Sequence, residues 1–494
     1  MTLKQIAALG RKLTVFLALF ADCFGRKEPR ELLWLYVRGQ FSDLRHKNAE
    51  AIALKFGEAP RTLQRFLESI KWDEEKLVDY TQKLVATQHA HSAAIGIIDE
   101  SGVPKSGEHT AGVDRQWCGN LGKVDNCVVG VHLVYAAPGF QCLLGSRVYL
   151  PEDWANDPER RKQNHIPEEV QFRTKPQIAL EQIDRALGNG IAVAAWTCDE
   201  FYGRSSEFLD GLEQRRQIFV AEVPVSFHGW VRKPRVLRQG PKSGRGRRKK
   251  YPRLARKIPP SEVRNLVRYS PAFRDRSWQR YRIKDTTKGP QVWEIKWSVF
   301  WRKSGGGLPT RRQCLIVARN VLTGEEKYFV SNRVPGERGV TLRWLLRVAF
   351  GRWPVEQCFQ QAKTELGMDH YQVRGWRCLH RHFYLTQLSY LFCARVRLEY
   401  DAQESAGSVT VEDVPASGHR SRLTMEQVRG AINAWLEAAT MTPKDRKKRY
   451  EDELKAIHYH QNRNQSASQS HTRTKIDVFE FDVEKIKSCI PASP

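Results

Sequence analysis

Apolar and polar positions run in two rhythms along the chain, and the change falls near residue 91. Up to residue 90 the apolar residues recur at helical spacing. Leu13 to Ala21 is an apolar run preceded by Lys4, Arg11 and Lys12. It reads as a buried helix, because Asp22-Cys23-Phe24 supplies no small-residue cleavage site of the kind that ends a secretory signal. Ala49 to Phe56, then Gly57-Glu58-Ala59, then Pro60 to Ile70 has the cadence of a helix, a short turn and a second helix begun by proline. From 91 the period shortens. Ala93 to Ile98 is almost wholly apolar, closes on Asp99-Glu100 and enters a loop at Ser101-Gly102, as a strand buried on both faces does. Cys127 to Tyr135 and Cys142 to Tyr149 read as two more strands. Lys175 to Leu187 has helical spacing, and Ile191 to Thr197 is another buried strand, closing on Asp199-Glu200. Strands with intervening helices predict an α/β fold with two acid pairs at strand ends.

The alternation stops at 231. Between Arg232 and Lys257 stand 13 basic residues and no acid, interspersed with Gly240, Pro241, Gly244 and Gly246, which predicts a mobile or ligand-ordered arm. Beyond it Trp293, Ile295, Trp297, Val299 and Trp301 alternate with polar residues, so the pattern predicts a strand with three tryptophans on one face. Leu315 to Ala318 and Lys327 to Val330 are further strands. Thr341 to Glu365 has the character of a long helix that Pro354 interrupts or restarts, and Tyr384 to Val396 is a second, apolar helix. A polar link at 401–420, a helix from Met425 to Ala439, the basic run Lys444 to Arg449 and a polar stretch His458 to His471 complete the chain. The pattern thus divides it at 1–90, 91–230, 231–340, 341–400 and 401–494.

Charge sharpens this division. The 494 residues carry a formal charge of +26 with 28% charged and 41% hydrophobic residues, the balance of a folded protein that binds a polyanion. The excess is concentrated: residues 231–340 hold 30 Lys and Arg against 7 Asp and Glu, whereas 91–230 hold 13 against 19. Arg245, Arg247, Arg248, Lys249 and Lys250 are the densest candidates for phosphate contacts. Arg61 and Arg65, near the start of the second helix of the N-terminal pair, could meet DNA as a recognition helix does. The ten cysteines form no CxxC and no paired framework, which reads as a reducing cytosol, and no apolar run reaches the length of a membrane span. Cys378, His380 and His382 form C-x-H-x-H, but no second ligand pair stands at zinc spacing.

Asp99 and Asp199, 100 residues apart at strand ends, and Glu356 on the later helix suggest a shared chemistry. Carboxylates gathered from separate elements repel one another unless a cation compensates. Oxygen-only ligands suit Mg²⁺ or Mn²⁺, and two such ions about 3.5–4 Å apart stabilise both the attacking and the leaving oxygen of a phosphodiester displacement. Spacings of −4 and +7 place Arg352 and Lys363 on the helical face of Glu356, where they suit a phosphate backbone. Glu100 and Glu200 rival Asp99 and Asp199. Neighbours on a strand point to opposite faces, so one of each pair serves a given site, and the shorter aspartate is preferred here.

The runs Ile97-Ile98-Asp99-Glu100-Ser101-Gly102, Cys118-Gly119-Asn120-Leu121-Gly122-Lys123, Leu150-Pro151-Glu152-Asp153-Trp154, Thr197-Cys198-Asp199-Glu200-Phe201-Tyr202-Gly203 and Arg352-Trp353-Pro354-Val355-Glu356 resemble bacterial insertion-sequence transposases of the DDE superfamily in order and context. Gly367-Met368-Asp369-His370-Tyr371 and His380-Arg381-His382 resemble that group's continuation. The resemblance implies a ribonuclease H-like catalytic core over 91–230 and 341–400, split by a basic β-rich insertion at 231–340, with a helical N-terminal DNA-binding region at 1–90 and a helical and basic C-terminal region at 401–494. It implies Asp99, Asp199 and Glu356 as catalytic and metal-binding acids, two Mg²⁺ ions for which Mn²⁺ may substitute, cleavage at element ends with strand transfer into target DNA, a homodimeric synaptic complex, and a place on the bacterial nucleoid. Related enzymes carry Y-x2-R-x3-E-x6-K around the third acid. This chain supplies Arg352, Glu356 and Lys363, but Ala349 stands at the tyrosine position with Phe350 beside it.

Overall fold

A computed structural model describes residues 1–237, 251–286, 289–406 and 423–473. The fold is mixed α/β and divides into two compact units, one of residues 1–193 with 354–469 and one that includes residues 194–353.

The first unit opens with helices Leu3–Ala18, Lys27–Phe41, Ala49–Lys55, Pro60–Glu68 and Glu74–Gln88. A capping box between Thr2 and Gln5 starts the first of them, and the apolar run predicted from Leu13 packs inward there, with Leu13, Phe16 and Leu17 buried. Four antiparallel strands follow: β1 (Ile95–Pro104), β2 (Asp114–Cys118), β3 (Lys123–Ala137) and β4 (Phe140–Val148). The long β3 pairs with β1 along one edge, and with β2 and then β4 along the other. The first strand runs six residues past Ile98, the expected end: Ser101 and Gly102 pair with Gly130 and Val129, and cross-strand pairing overrides their turn preference. Asp99 and Glu100 therefore sit inside a strand rather than at its end.

Helix Trp376–Ala406 is the spine of this unit. It is buried from Leu379 to Ala394 and packs on β4 as well as on helices of the N-terminal region. Arg381, 1% exposed, is the charged residue buried within that stretch. Its guanidinium donates to the carbonyls of Phe66, Ile70 and Trp72 and to the Glu74 carboxylate, so one side chain satisfies the C-terminal end of Pro60–Glu68 and the link that follows. His380 and His382 are equally enclosed. His382 Nδ1 lies 2.7 Å from the Tyr36 hydroxyl and its Nε2 3.1 Å from the Gly367 and Met368 carbonyls, while His380 joins the Trp376 carbonyl and the Val148 amide. All four ring nitrogens are thus taken by protein groups, which closes the C-x-H-x-H cluster to metal.

In the second unit β5 (Ala195–Cys198) lies parallel to β6 (Phe219–Val223) through the crossover helix Ser206–Gln214, shorter than the strand expected over 191–197. The β-rich stretch comprises β7 (His228–Trp230), β8 (Val236–Leu237), β9 (Arg253–Leu254), β10 (Ser261–Glu262), β11 (Gln279–Thr286), β12 (Gly289–Arg302), β13 (Gln313–Asn320) and β14 (Glu326–Ser331). The order β10-β7-β12-β13-β14-β6-β5, with β11 on β12, makes one sheet, and β8 with β9 a separate ribbon. The tryptophans of β12 do not form one core face. Trp293 and Ile295 are buried, but further along Ser298, Phe300 and Arg302 take the buried positions and Trp297 and Trp301 are half-buried. The register with β13 is regular, so the cause is a change in which side of the strand is covered. Trp293 packs on Phe350, whereas Trp297 lies under the Arg276 guanidinium. Among the described residues no helix is long and apolar enough to cross a membrane.

Burial holds both enclosed histidines neutral, pushing His380 and His382 down to about 4 from the ordinary 6.5. On unfolding they regain the ordinary value, so below pH 6.5 the unfolded chain binds protons that the native chain does not. Stability should therefore fall as pH drops from about 6.5 to about 4, by up to about 3 kcal/mol for each histidine. Urea midpoints at pH 7.5, 5.5 and 4.5 test this, and a flat profile would refute it.

Candidate functional site

The register of β1 on β3 fixes the surroundings of Asp99. Asp99 pairs with His132, so both side chains rise from the same face of the sheet. Asp99 is 8% exposed, and its Oδ1 accepts the Glu100 amide at 2.8 Å. Glu100 points to the other face and lies 2.8 Å from the Lys175 ammonium at the start of helix Lys175–Gly188. The two neighbouring acids thus lie on opposite faces of the sheet, Glu100 beside Lys175 and Asp99 on the face of His132.

His132 links this face to the Glu356 helix. Its ring meets Phe359 edge-on at 4.9 Å, and Phe359 belongs to helix Trp353–Leu366, which carries Glu356 in its first turn. Pro354 starts this helix, since Leu342–Ala349 ends four residues earlier. Glu356 is exposed and Lys363 half-buried. Burial lowers the Lys363 pKa, with Asp369 opposing the shift. The same ammonium adds to the burial that pushes His132 down to about 3. Arg352 precedes the helix by one residue, so the helical-face argument applies to Lys363 and not to Arg352.

Asp199 directly follows β5 and caps the short helix Glu200–Gly203, its Oδ1 accepting the Tyr202 amide at 3.2 Å. Burial raises its pKa and Glu222 adds to the rise, while the Tyr202 amide and the Arg352 guanidinium oppose it. Glu200 is exposed. Gly203 explains the end of the Asp199-Glu200-Phe201-Tyr202-Gly203 motif: a Cβ there would lie 1.8 Å from the Glu222 carbonyl oxygen on β6, so this helix rests directly on strand backbone. Where related enzymes carry tyrosine, Ala349 is buried and Phe350 packs between Trp293 and Phe329.

Arg61 and Arg65 are exposed on Pro60–Glu68, and Arg61 pairs with Glu68 at 2.9 Å. The preceding turn takes Gly57 at φ +75°, a conformation that favours glycine. Arg245, Arg247, Arg248, Lys249 and Lys250 lie outside the described residues. Among the described residues no three His, Cys, Asp or Glu side chains already stand as a metal cage. What suits a divalent cation is the donor chemistry: carboxylates withdrawn from water, one of them with a raised pKa, favour the cation that restores their charge. Sequence reasoning missed His132 and Lys175. A histidine inside an otherwise apolar strand run was the available signal for the first.

The family model for the DDE superfamily endonuclease matches residues 19–290. The chain belongs to that family. It is 30% identical over 187 residues to a Microchaete diplosiphon protein described as a probable transposase for insertion sequence element IS701, across 37% of this chain and 46% of that one. A piggyBac transposase, solved by cryo-electron microscopy as a synaptic complex with hairpin DNA, aligns over 87% of this chain and 76% of that chain, at 9% identity and a TM-score of 0.37.

Gly203→Ala should be strongly destabilising, because the clashing atom is backbone and cannot rotate away. A loss of about 3 kcal/mol or more is expected. Thermal unfolding of the variant checks this, and a midpoint equal to the parent's would refute the close approach.

Proposed function

We propose that the chain is a DNA transposase that cleaves at element ends and joins them to target DNA, with Asp99, Asp199 and Glu356 as its catalytic acids. The observation that carries this reading is the separation of Asp99 from Glu100: the acid the motif singles out is enclosed, on the sheet face that His132 and Phe359 tie to the Glu356 helix, while its neighbour is paired with Lys175. Membership of the DDE superfamily endonucleases supports it, and such enzymes generally use divalent metal ions.

The core is read as ribonuclease H-like, formed by 91–230 and 341–400, with 231–340 as a basic insertion. Asp99, Asp199 and Glu356 would hold Mg²⁺, or Mn²⁺ in its place. When bound, the metal lowers the pKa of attacking water and offsets charge on the leaving oxygen. The chain's residues do the rest. Lys363 and Arg352 hold non-bridging phosphate oxygens and so orient the phosphodiester between attacking and leaving atoms. Water attacks phosphorus, the bond to the 3′-oxygen breaks, and that oxygen leaves as a hydroxyl. In the second displacement the hydroxyl attacks a target phosphodiester, forming one P–O bond as another breaks. Arg61, Arg65 and the basic run at 245–250 grip the duplex backbone, and two copies of the chain bring the two ends together.

Alanine at Asp99, Asp199 or Glu356 should abolish cleavage of a supercoiled plasmid bearing the element's ends, with a rate loss of at least about 10³-fold, and leave end binding within a few-fold. Undiminished excision by any of the three would sink that acid's role. Joined products support a transposase, cleavage without joining a nuclease, and binding alone a silent DNA-binding descendant.

Replacing the lysines and arginines of 245–250 should weaken binding to every DNA sequence alike and flatten its dependence on salt, because phosphate contacts release counterions. Filter binding from 50 to 300 mM salt reads the slope. An unchanged slope would remove this run from the DNA path.

A further inference from the structure

The residue opposite Asp99 carries a hydrogen-bonding group that no described residue uses. His132 is 1% exposed, and its Nε2 is buried without a hydrogen-bond partner. Leaving such a group unpartnered forfeits its hydration with no bond in return. The rest of the ring is fully fixed. Nδ1 lies 2.6 Å from Ser146 Oγ, on the residue paired with His132 across β4, and that oxygen accepts the Gln387 amide from helix Trp376–Ala406. A hydroxyl has one proton to give. With Gln387 donating to that oxygen, the Ser146 proton is available for Nδ1, and an Nδ1 that accepts it leaves the imidazole proton on Nε2. Phe359 and Phe383 set the ring plane from two sides. Gly130 leaves it room, since a Cβ there would lie 2.7 Å from Nε2. Contacts from Ser146, Gln387, Phe359 and Phe383 therefore converge to hold the ring on the sheet face that Asp99 shares.

We propose that His132 is a positioning residue for Asp99, its Nε2–H being the donor that takes a carboxylate oxygen of Asp99 in the metal-bound state. Directly opposed residues of antiparallel strands stand about 4.5–5.5 Å apart at Cβ, within reach of a carboxylate and an imidazole. Asp99 Oδ1 in this structure accepts the amide of the next residue, a local bond that holds the carboxylate against its own strand. A neutral donor suits the role better than a cation. Lys175 neutralises Glu100, whereas an imidazole N–H orients a carboxylate and leaves its charge for the metal. The inference rests on Asp99 being a metal-binding acid.

The test is Mn²⁺ binding to the full chain without DNA, read by the loss of the free-ion electron paramagnetic resonance signal. His132→Phe keeps an aromatic ring and removes the donor, and should weaken Mn²⁺ binding about 10–100-fold with the unfolding midpoint little changed. His132→Gln, which restores an N–H, should recover part of the loss. Ser146→Ala keeps the imidazole but frees its tautomer, and should shift affinity the same way by less. Should His132→Phe fail to fold, Ser146→Ala decides. Parent-like Mn²⁺ affinity in folded His132→Phe or, failing that, in Ser146→Ala overturns the proposal, provided Asp99→Ala has lost the ion. If Asp99→Ala itself binds Mn²⁺ like the parent, the metal role of Asp99 falls and this inference falls with it.

Discussion

Taking the Asp99 carboxylate out of water inside a strand is the constraint on which the rest depends. A carboxylate is costly to withdraw from water, so the surrounding fold has to meet its polar oxygens. Alternation along β1 makes this possible next to a second acid, because Glu100 turns to the face where Lys175 meets it. The long antiparallel register with β3 holds Asp99 in place. Asp199 has the same problem in another form: it follows a strand, caps a four-residue helix, and has its pKa raised by burial despite the Tyr202 amide and Arg352. Two carboxylates kept in this state gain more from a bound cation than solvated ones would.

Much of this was legible in the chain. The helix pair 49–68, helix 175–188, the strands and the restart at Pro354 follow from periodicity and from proline and glycine placement, which are local properties. What could not be read was decided by partners. Pairing with β3 carries β1 through Ser101 and Gly102. Changing cover on the faces of β12 exposes half of Trp297 and Trp301. The site shows the same division. The three acids stand out by motif, and Lys363 by helical spacing, but Arg352 falls before the helix begins. His132 reads as one more buried strand residue until the register sets it opposite Asp99.

The charge distribution follows from the same economy of partners. Between residues 231 and 340 Glu294 serves both Arg280 and Arg319, and Trp278 lies under both Lys296 and Arg319. Seven acids cannot pair thirty cations, so this segment carries a net positive field whatever its detailed contacts. The segment with Asp99 and Asp199 has the opposite balance. Under the proposed function, acids reserved for metal leave the attraction of a polyanion to other residues, and the segregation of charge along this chain is what that reading requires.

The spacing of Glu356 and Lys363 has a mechanical reason in the residue between them. Positions i, i+3 and i+7 share one helix face, so Glu356, Phe359 and Lys363 form a stripe. Phe359 is its anchor: the ring sits edge-on against His132, which is fixed in turn by Ser146 and by pairing with Asp99. Rotating the helix about its axis would break that contact before it moved either charged end far. The anchor thus sets the angular position of the acid and the lysine relative to the strand that holds Asp99. A tyrosine one turn before the helix is not needed for this alignment, and here Phe350 packs between Trp293 and Phe329 instead. The departure from the family pattern changes what stabilises the segment leading into the helix, while the stripe anchored on His132 is kept.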